Sequence, residues 1–119
     1  MDLVVHGRIP SKKNSRNIFV RGGKPVNIPN KRYEEWHKGA EWEIASQSPE
    51  KGISRAKVEI NFYMPDNRVK DLTNSAESIL DLLVDCGVLE DDKWQCVPEI
   101  ILRGEIDREN PRAEIKINK

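Results

Sequence analysis

The sequence predicts a single α+β domain, and three observations carry that prediction. Residues 56–64 set Val58, Ile60, Phe62 and Met64 against Lys57, Glu59 and Asn61, the period-two alternation of a half-buried strand. Residues 30–46 and 74–86 repeat apolar side chains every three or four positions, the period of a helix with one buried face. The 119 residues contain no repeat, low-complexity tract or linker, and that length buries a core without disulfide staples.

The elements follow in order. Residues 2–9 read as a short strand, and residues 9–17 as a polar loop with few apolar anchors. Residues 18–20 and 25–28 flank Arg21-Gly22-Gly23-Lys24, whose glycines permit a tight turn, so a basic hairpin is expected. Asn30 caps a helix that reaches Ser46, with Tyr33, Trp36, Ala40 and Ile44 on one face. After the 56–64 strand, stopped by Pro65, Asn74 and Glu77 have the spacing of a capping box, and Gly87 suits the left-handed end of the helix they open. Ala76, Ile79, Leu80, Leu83 and Val84 form its apolar arc, while Asn74, Glu77, Ser78, Asp81 and Asp85 form a polar one, with Leu82 a misfit. Residues 96–106 and 112–117 carry strand signals around a turn at 107–111, and a hairpin is expected because so short a turn cannot make a parallel crossover.

Composition excludes several classes. Cys86 and Cys96 stand alone without zinc-ligand spacing, and His6 and His37 are isolated, so neither a zinc site nor a disulfide framework is expected. No apolar run is long enough to span a bilayer or act as a signal peptide, which predicts a cytoplasmic protein without a membrane partner. The net charge of zero conceals an asymmetry: residues 1–57 hold 12 Lys or Arg against 6 acids, and residues 58–119 hold 8 against 14. A basic region at about 10–32 beside an acidic segment at about 64–93 suits a polyanion held by one and cut at the other, or simply a charged surface whose halves neutralise one another.

The acidic segment is the densest chemical signal. Asp71 precedes the second helix, Glu77 and Asp81 lie on it, and Asp91 and Asp92 follow it. Two such charges ~5 Å apart repel by roughly 3 kcal/mol at an effective dielectric of ~20, so convergence calls for a cation, and Mg²⁺ takes oxygen ligands of this kind. The helix spans ~18 Å, and six residues beyond it extend to about 20 Å, so a turn at Gly87 can carry Asp92 back towards Asp71. Equally, Glu90, Asp91 and Asp92 can cap a following short helix around Lys93 and Trp94.

Met64-Pro65-Asp66, then Arg68 to Asn74 (R-V-K-D-L-T-N), Asp81-Leu82-Leu83 and Gly87 to Asp92 (G-V-L-E-D-D) resemble the RusA family of Holliday-junction resolvases of bacteria and their phages. The loop Pro10 to Arg16 is a weaker match to the same family. This resemblance implies a small mixed sheet flanked by helices. It also implies a homodimeric, Mg²⁺-dependent endodeoxyribonuclease, with Mn²⁺ able to substitute, that resolves four-way junctions in recombination and repair in a bacterial cell, at the nucleoid through its DNA. Asp71 and Asp92 fall on the family's catalytic, metal-binding aspartates and Asp91 on the acid beside the latter.

The chain departs from the family at two positions. Thr73 stands where a second aspartate is usual, and Glu77 where a catalytic lysine is. Either Thr73 holds a metal-bound water while Glu77, which shares a helix face with Asp81, restores the lost charge, or the protein binds junctions without cutting them; action on other branched DNA is a further reading. Lys70 or Lys93 is a substitute for the lost lysine. Lys12, Lys13, Asn14, Arg16, Arg21 and Lys24 are the expected contacts to the phosphate backbone. Tyr33 and Trp36 are expected in the core. Trp94 is expected against the second helix, with a wedge into opened DNA as the alternative.

Overall fold

The computed structural model describes residues 1–11, 16–21, 24–29, 31–68 and 71–119, of which 16–21 and 24–29 are described by their backbone. The strands are β1 (Asp2–His6), β2 (Arg16–Arg21), β3 (Lys24–Pro29), β4 (Lys57–Met64), β5 (Ile100–Ile106) and β6 (Arg112–Asn118), and the helices are α1 (Lys31–Ser46) and α2 (Leu72–Asp85). A four-stranded sheet has the order β1-β6-β4-β5, and β2 and β3 form a separate antiparallel pair. The expected basic hairpin is therefore present. Its Gly22-Gly23 turn, and Asn30 as the cap of α1, lie outside the described residues.

The sheet is mixed because β4 pairs antiparallel with β6 and parallel with β5. Alternation puts Val58, Ile60 and Phe62 on one face of β4, opposite Ile117, Ile115 and Ala113 of β6, and Leu3 and Val5 of β1 continue that face. All of these side chains are buried. α1 packs on β1, α2 packs on β5, and the two helices touch, so both cover this same face and leave the other polar. Tyr33, Ala40 and Ile44 of α1 meet the expectation of a buried stripe, and Trp36 packs against the core.

The hairpin expected from 96–106 and 112–117 does not form. β4 lies between β5 and β6, and residues 107–111 arch over its end, where the Asp107 N–H donates to the Met64 carbonyl at 2.8 Å. Skipping one strand needs about 10 Å, and five residues reach about 17 Å, so a short loop suffices. The period-two pattern identified each strand but said nothing of which neighbour each would choose. The α2 helix opens earlier than expected: Asp71, not Asn74, occupies the N-cap, and Asn74 Nδ2 instead donates to Asp71 Oδ2 at 3.4 Å. Ser78, placed on the polar arc by its residue type, is buried and donates to the Pro10 carbonyl at 2.6 Å. Leu82 is no misfit, for it is fully buried with Ile79 and Leu83.

Candidate functional site

The amino end of α2 is anchored by packing. Leu72 lies over Gly104 of β5, where an added Cβ would meet both Leu72 methyls at 3.3 Å. Asp71 beside it has an extended backbone (φ −79°, ψ 119°), an exposed side chain and no capping hydrogen bond, so its carboxylate oxygens face outward. Thr73 and Glu77 are also exposed on the first turns of the helix. The donors here are all oxygens, the set that suits a hard divalent ion such as Mg²⁺.

At the other end, Gly87 takes the expected left-handed conformation (φ 76°), and its N–H donates to the Val84 carbonyl at 3.0 Å. The chain does turn there, but the return is bound to another segment. Gly52 and Ile53 N–H groups donate to Gly87 and Val88, and Glu90 N–H donates back to Ile53, which buries Val88 and Leu89 ahead of β4. The Cys96 carbonyl accepts from Ala56 at 2.8 Å, and Lys93 O accepts from Cys96 and Val97 in a single turn, not a capped helix. Asp91 and Asp92 therefore lie near the start of β4. Asp71 lies towards its end, since Gly104, under Leu72, pairs with Phe62. Six strand residues from Ala56 to Phe62 correspond to about 20 Å. Asp91 accepts a hydrogen bond from the Asp92 N–H at 2.7 Å, and this bond holds its carboxyl below the usual value of 3.8.

Asp81 has different neighbours from the other acids. His37, expected to be isolated, projects from α1 between the acids of α2: its Nε2 lies 3.5 Å from Asp81 and 2.9 Å from Asp85, and its Nδ1 lies 2.7 Å from Glu41. Among the described residues, His37, Asp81 and Asp85 form the group whose potential ligand atoms lie within 4.8 Å of one another; Asp71, Glu77, Asp91 and Asp92 do not form such a group. Only the contact between α1 and α2 could reveal this, because 44 positions separate His37 from Asp81. His6 is likewise not isolated, and pairs with Glu43 of α1.

A cationic edge borders the acidic segment. Asp66 receives the guanidinium of Arg8, from just beyond β1, together with the Arg68 backbone N–H at 3.1 Å and Arg68 Nε at 3.2 Å. The Arg68 N–H first, and Arg8 second, hold the Asp66 carboxyl below its usual 3.8. Arg8 is one basic residue among many in the sequence, and Arg68 stands out there only as part of the family-like stretch, with no pairing to Asp66 expected. Lys93 is exposed beside Asp92. Lys12, Lys13, Asn14 and Lys70 lie outside the described residues, as do the side chains of Arg16, Arg21 and Lys24. Trp94 corrects an expectation: it is 69% exposed, not packed on α2, because the turn at 93–97 points it away from the core. Trp42 on α1 is 81% exposed.

The sequence matches the family described as Endodeoxyribonuclease RusA over residues 9–118, which takes in the arginine-flanked Asp66, both ends of α2 and the Asp91–Asp92 pair. A crossover junction endodeoxyribonuclease RusA of Aquifex aeolicus (strain VF5) is 30% identical over 86 residues, covering 71% of this chain and 67% of that protein. With its mixed four-stranded sheet, two helices and this match over nearly all of its length, the chain belongs to the RusA family of endodeoxyribonucleases.

Proposed function

We propose that this protein is a Mg²⁺-dependent nuclease that resolves four-way DNA junctions in recombination and repair, and that it acts as a homodimer. The observation that carries the reading is the outward carboxylate of Asp71, fixed by the Leu72–Gly104 contact and free of any capping bond. Asp71, Asp91, Asp92 and Glu77 are the residues that would hold the ion; Asp81 is set apart by its contact with His37. A divalent ion bound there supplies a Lewis acid for phosphodiester hydrolysis, and Mn²⁺ can replace Mg²⁺ in that role.

The separation of about 20 Å between the levels of Asp71 and Asp92 along β4 supports assembly of the site between two chains. Two copies with their α2 helices side by side in opposite directions bring Asp71 of one to Asp91 and Asp92 of the other. Such a pair has two equivalent sites, as symmetric cleavage of a four-way junction requires. Arg8, Arg68 and Lys93, with Lys12, Lys13, Asn14, Arg16, Arg21, Lys24 and Lys70 of the basic region, would contact phosphates and position the arms. Trp94, exposed next to the acids, is placed to stack on a base at the branch point. This exposure favours the wedge reading over the core one.

Cleavage of a labelled four-way junction with and without Mg²⁺ tests the proposal. Paired nicks that need the ion support it. Tight binding without nicking would establish a junction-binding protein instead, and equal cutting of flaps and forks would establish a broader branched-DNA nuclease.

A further inference from the structure

Beyond the proposed catalytic acids, we propose that His37, Asp81 and Asp85 form a second divalent-cation site that joins α1 to α2, selective for a borderline transition ion such as Zn²⁺ or Co²⁺ over Mg²⁺. The two histidine–carboxylate spacings fit, and all three ligand atoms lie within 4.8 Å of one another. Ions of this kind hold His nitrogen and carboxylate oxygen at about 2.0–2.2 Å, which puts neighbouring ligands of a tetrahedral or octahedral site roughly 2.9–3.6 Å apart. His37 Nε2 lies 2.9 Å from Asp85 and 3.5 Å from Asp81.

The contact on the other side of the ring is compatible with this. The Glu41 carboxylate lies 2.7 Å from Nδ1, where it would accept that nitrogen's proton bond when Nε2 ligates a metal, as in a carboxylate–histidine–metal relay. Nε2 is buried, and neither aspartate contact has hydrogen-bond geometry. A lone pair facing two carboxylates is unfavourable, and either a proton on Nε2 or a metal ion among the three groups relieves it.

An independent observation comes from Tyr33. It is 7% exposed, and its buried hydroxyl makes no well-formed hydrogen bond, although Ser78 and Asp81 lie close enough to influence it and Asp85 is also near. An orphaned hydroxyl at this depth costs free energy, and a ligand of the bound ion, such as water, would satisfy it. Among the described residues, Glu41 and the half-buried Cys86 also lie near the cluster, and the Cys86 thiol is pushed up first by burial and then by Glu41 and Asp85. A nitrogen donor among the three ligands favours a borderline ion over Mg²⁺, which takes oxygen.

The test is titration of metal-stripped full-length protein with Co²⁺, Zn²⁺ and Mg²⁺, read by the Co²⁺ visible absorption band and by Tm. We expect one saturable Co²⁺ equivalent without a sulfur charge-transfer band. At about a hundredfold excess over Kd, Zn²⁺ or Co²⁺ should raise Tm by roughly 10 °C. Mg²⁺ at that concentration should give only a small part of this rise. His37→Gln and Asp85→Asn should each weaken Co²⁺ binding by about tenfold or more and remove the Tm rise, while Asp71→Asn keeps both. Asp85 is half exposed, so its variant keeps the test valid if loss of His37 disturbs packing.

Three outcomes overturn the proposal. If Tm does not respond in the unsubstituted protein, His37 and its three carboxylates join the helices without an ion. If Asp71→Asn alone removes the response, the ion belongs to the proposed nuclease site. A sulfur band lost in Cys86→Ser assigns the ion to that thiol.

Discussion

Leu72 closes over Gly104, and this contact fixes where the amino end of α2 meets the sheet. A larger residue at 104 must displace the leucine side chain that seats the helix start on the sheet. We expect Gly104→Val to cost about 1–3 kcal/mol by overpacking and to reduce junction cleavage further than the stability loss explains. Urea unfolding and cleavage rates under conditions where the variant is fully folded check both parts.

Asp71→Asn is expected to abolish cleavage while leaving the fold intact. The Asp71 side chain makes no capping bond, and asparagine is as good an N-cap as aspartate, so stability should change by less than about 0.5 kcal/mol. Junction affinity should be equal or tighter, because a charge facing phosphate is removed. A variant that fails to fold would make Asp71 a structural residue.

A site shared between two chains makes a sharper claim. Asp71→Asn and Asp92→Asn proteins should each be inactive alone. Mixed and allowed to exchange subunits, they should recover activity, since the mixed dimer carries one intact site with both acids and one lacking both. Single-strand nicking should recover without coordinated double cleavage. No recovery in a mixture shown to contain the mixed dimer would place all the acids of one site in a single chain.

Part of the acid sensitivity should trace to Asp66, one of several depressed carboxyls. Its carboxyl is depressed below 3.8 by the Arg68 N–H and by Arg8. A depressed carboxylate contributes stability that is present above the unfolded value and is lost as pH falls through the folded one. Urea midpoints measured from about pH 5 to about pH 2 should therefore decline less steeply in Asp66→Asn than in the unsubstituted chain.

Tyr33 should show the opposite limb. Burial, first, and the nearby Asp81 and Asp85 push its hydroxyl from 10.0 up to about 12. The unfolded chain ionises this group earlier than the folded one, so stability falls as pH rises through that interval. Tyr33→Phe should abolish this loss. In metal-free protein at neutral pH it should leave stability equal or raise it by about 1 kcal/mol, because the hydroxyl it removes makes no well-formed hydrogen bond. Unfolding curves at neutral and alkaline pH measure both effects.

Periodicity read the strands and helices well, because the alternation in β4 and the apolar stripe of α1 are local consequences of burying one face. Strand partners were not legible, since residues 100–106 satisfy the hairpin pattern and the β4-edge pattern equally. The acids were legible as residue types. Their separation by the length of α2 was not, because it depends on Gly52 and Ile53 capturing the 87–90 segment. His37 was missed for the same reason: its partners lie on another helix, and a lone histidine leaves no spacing signal. Trp94 was misjudged because hydrophobic character alone does not report the direction of a single turn.

The sheet order also bears on how the protein comes into being. β1 pairs only with β6 in the main sheet, with Asp2 opposite Lys116. During synthesis the first strand emerges more than a hundred residues ahead of its companion and has to wait, unpaired, while the rest of the sheet is made. Joining such distant segments is slow, and an open strand edge invites self-association in the interval. High-level production should therefore trap this protein in aggregates more readily at rapid translation rates than at slow ones.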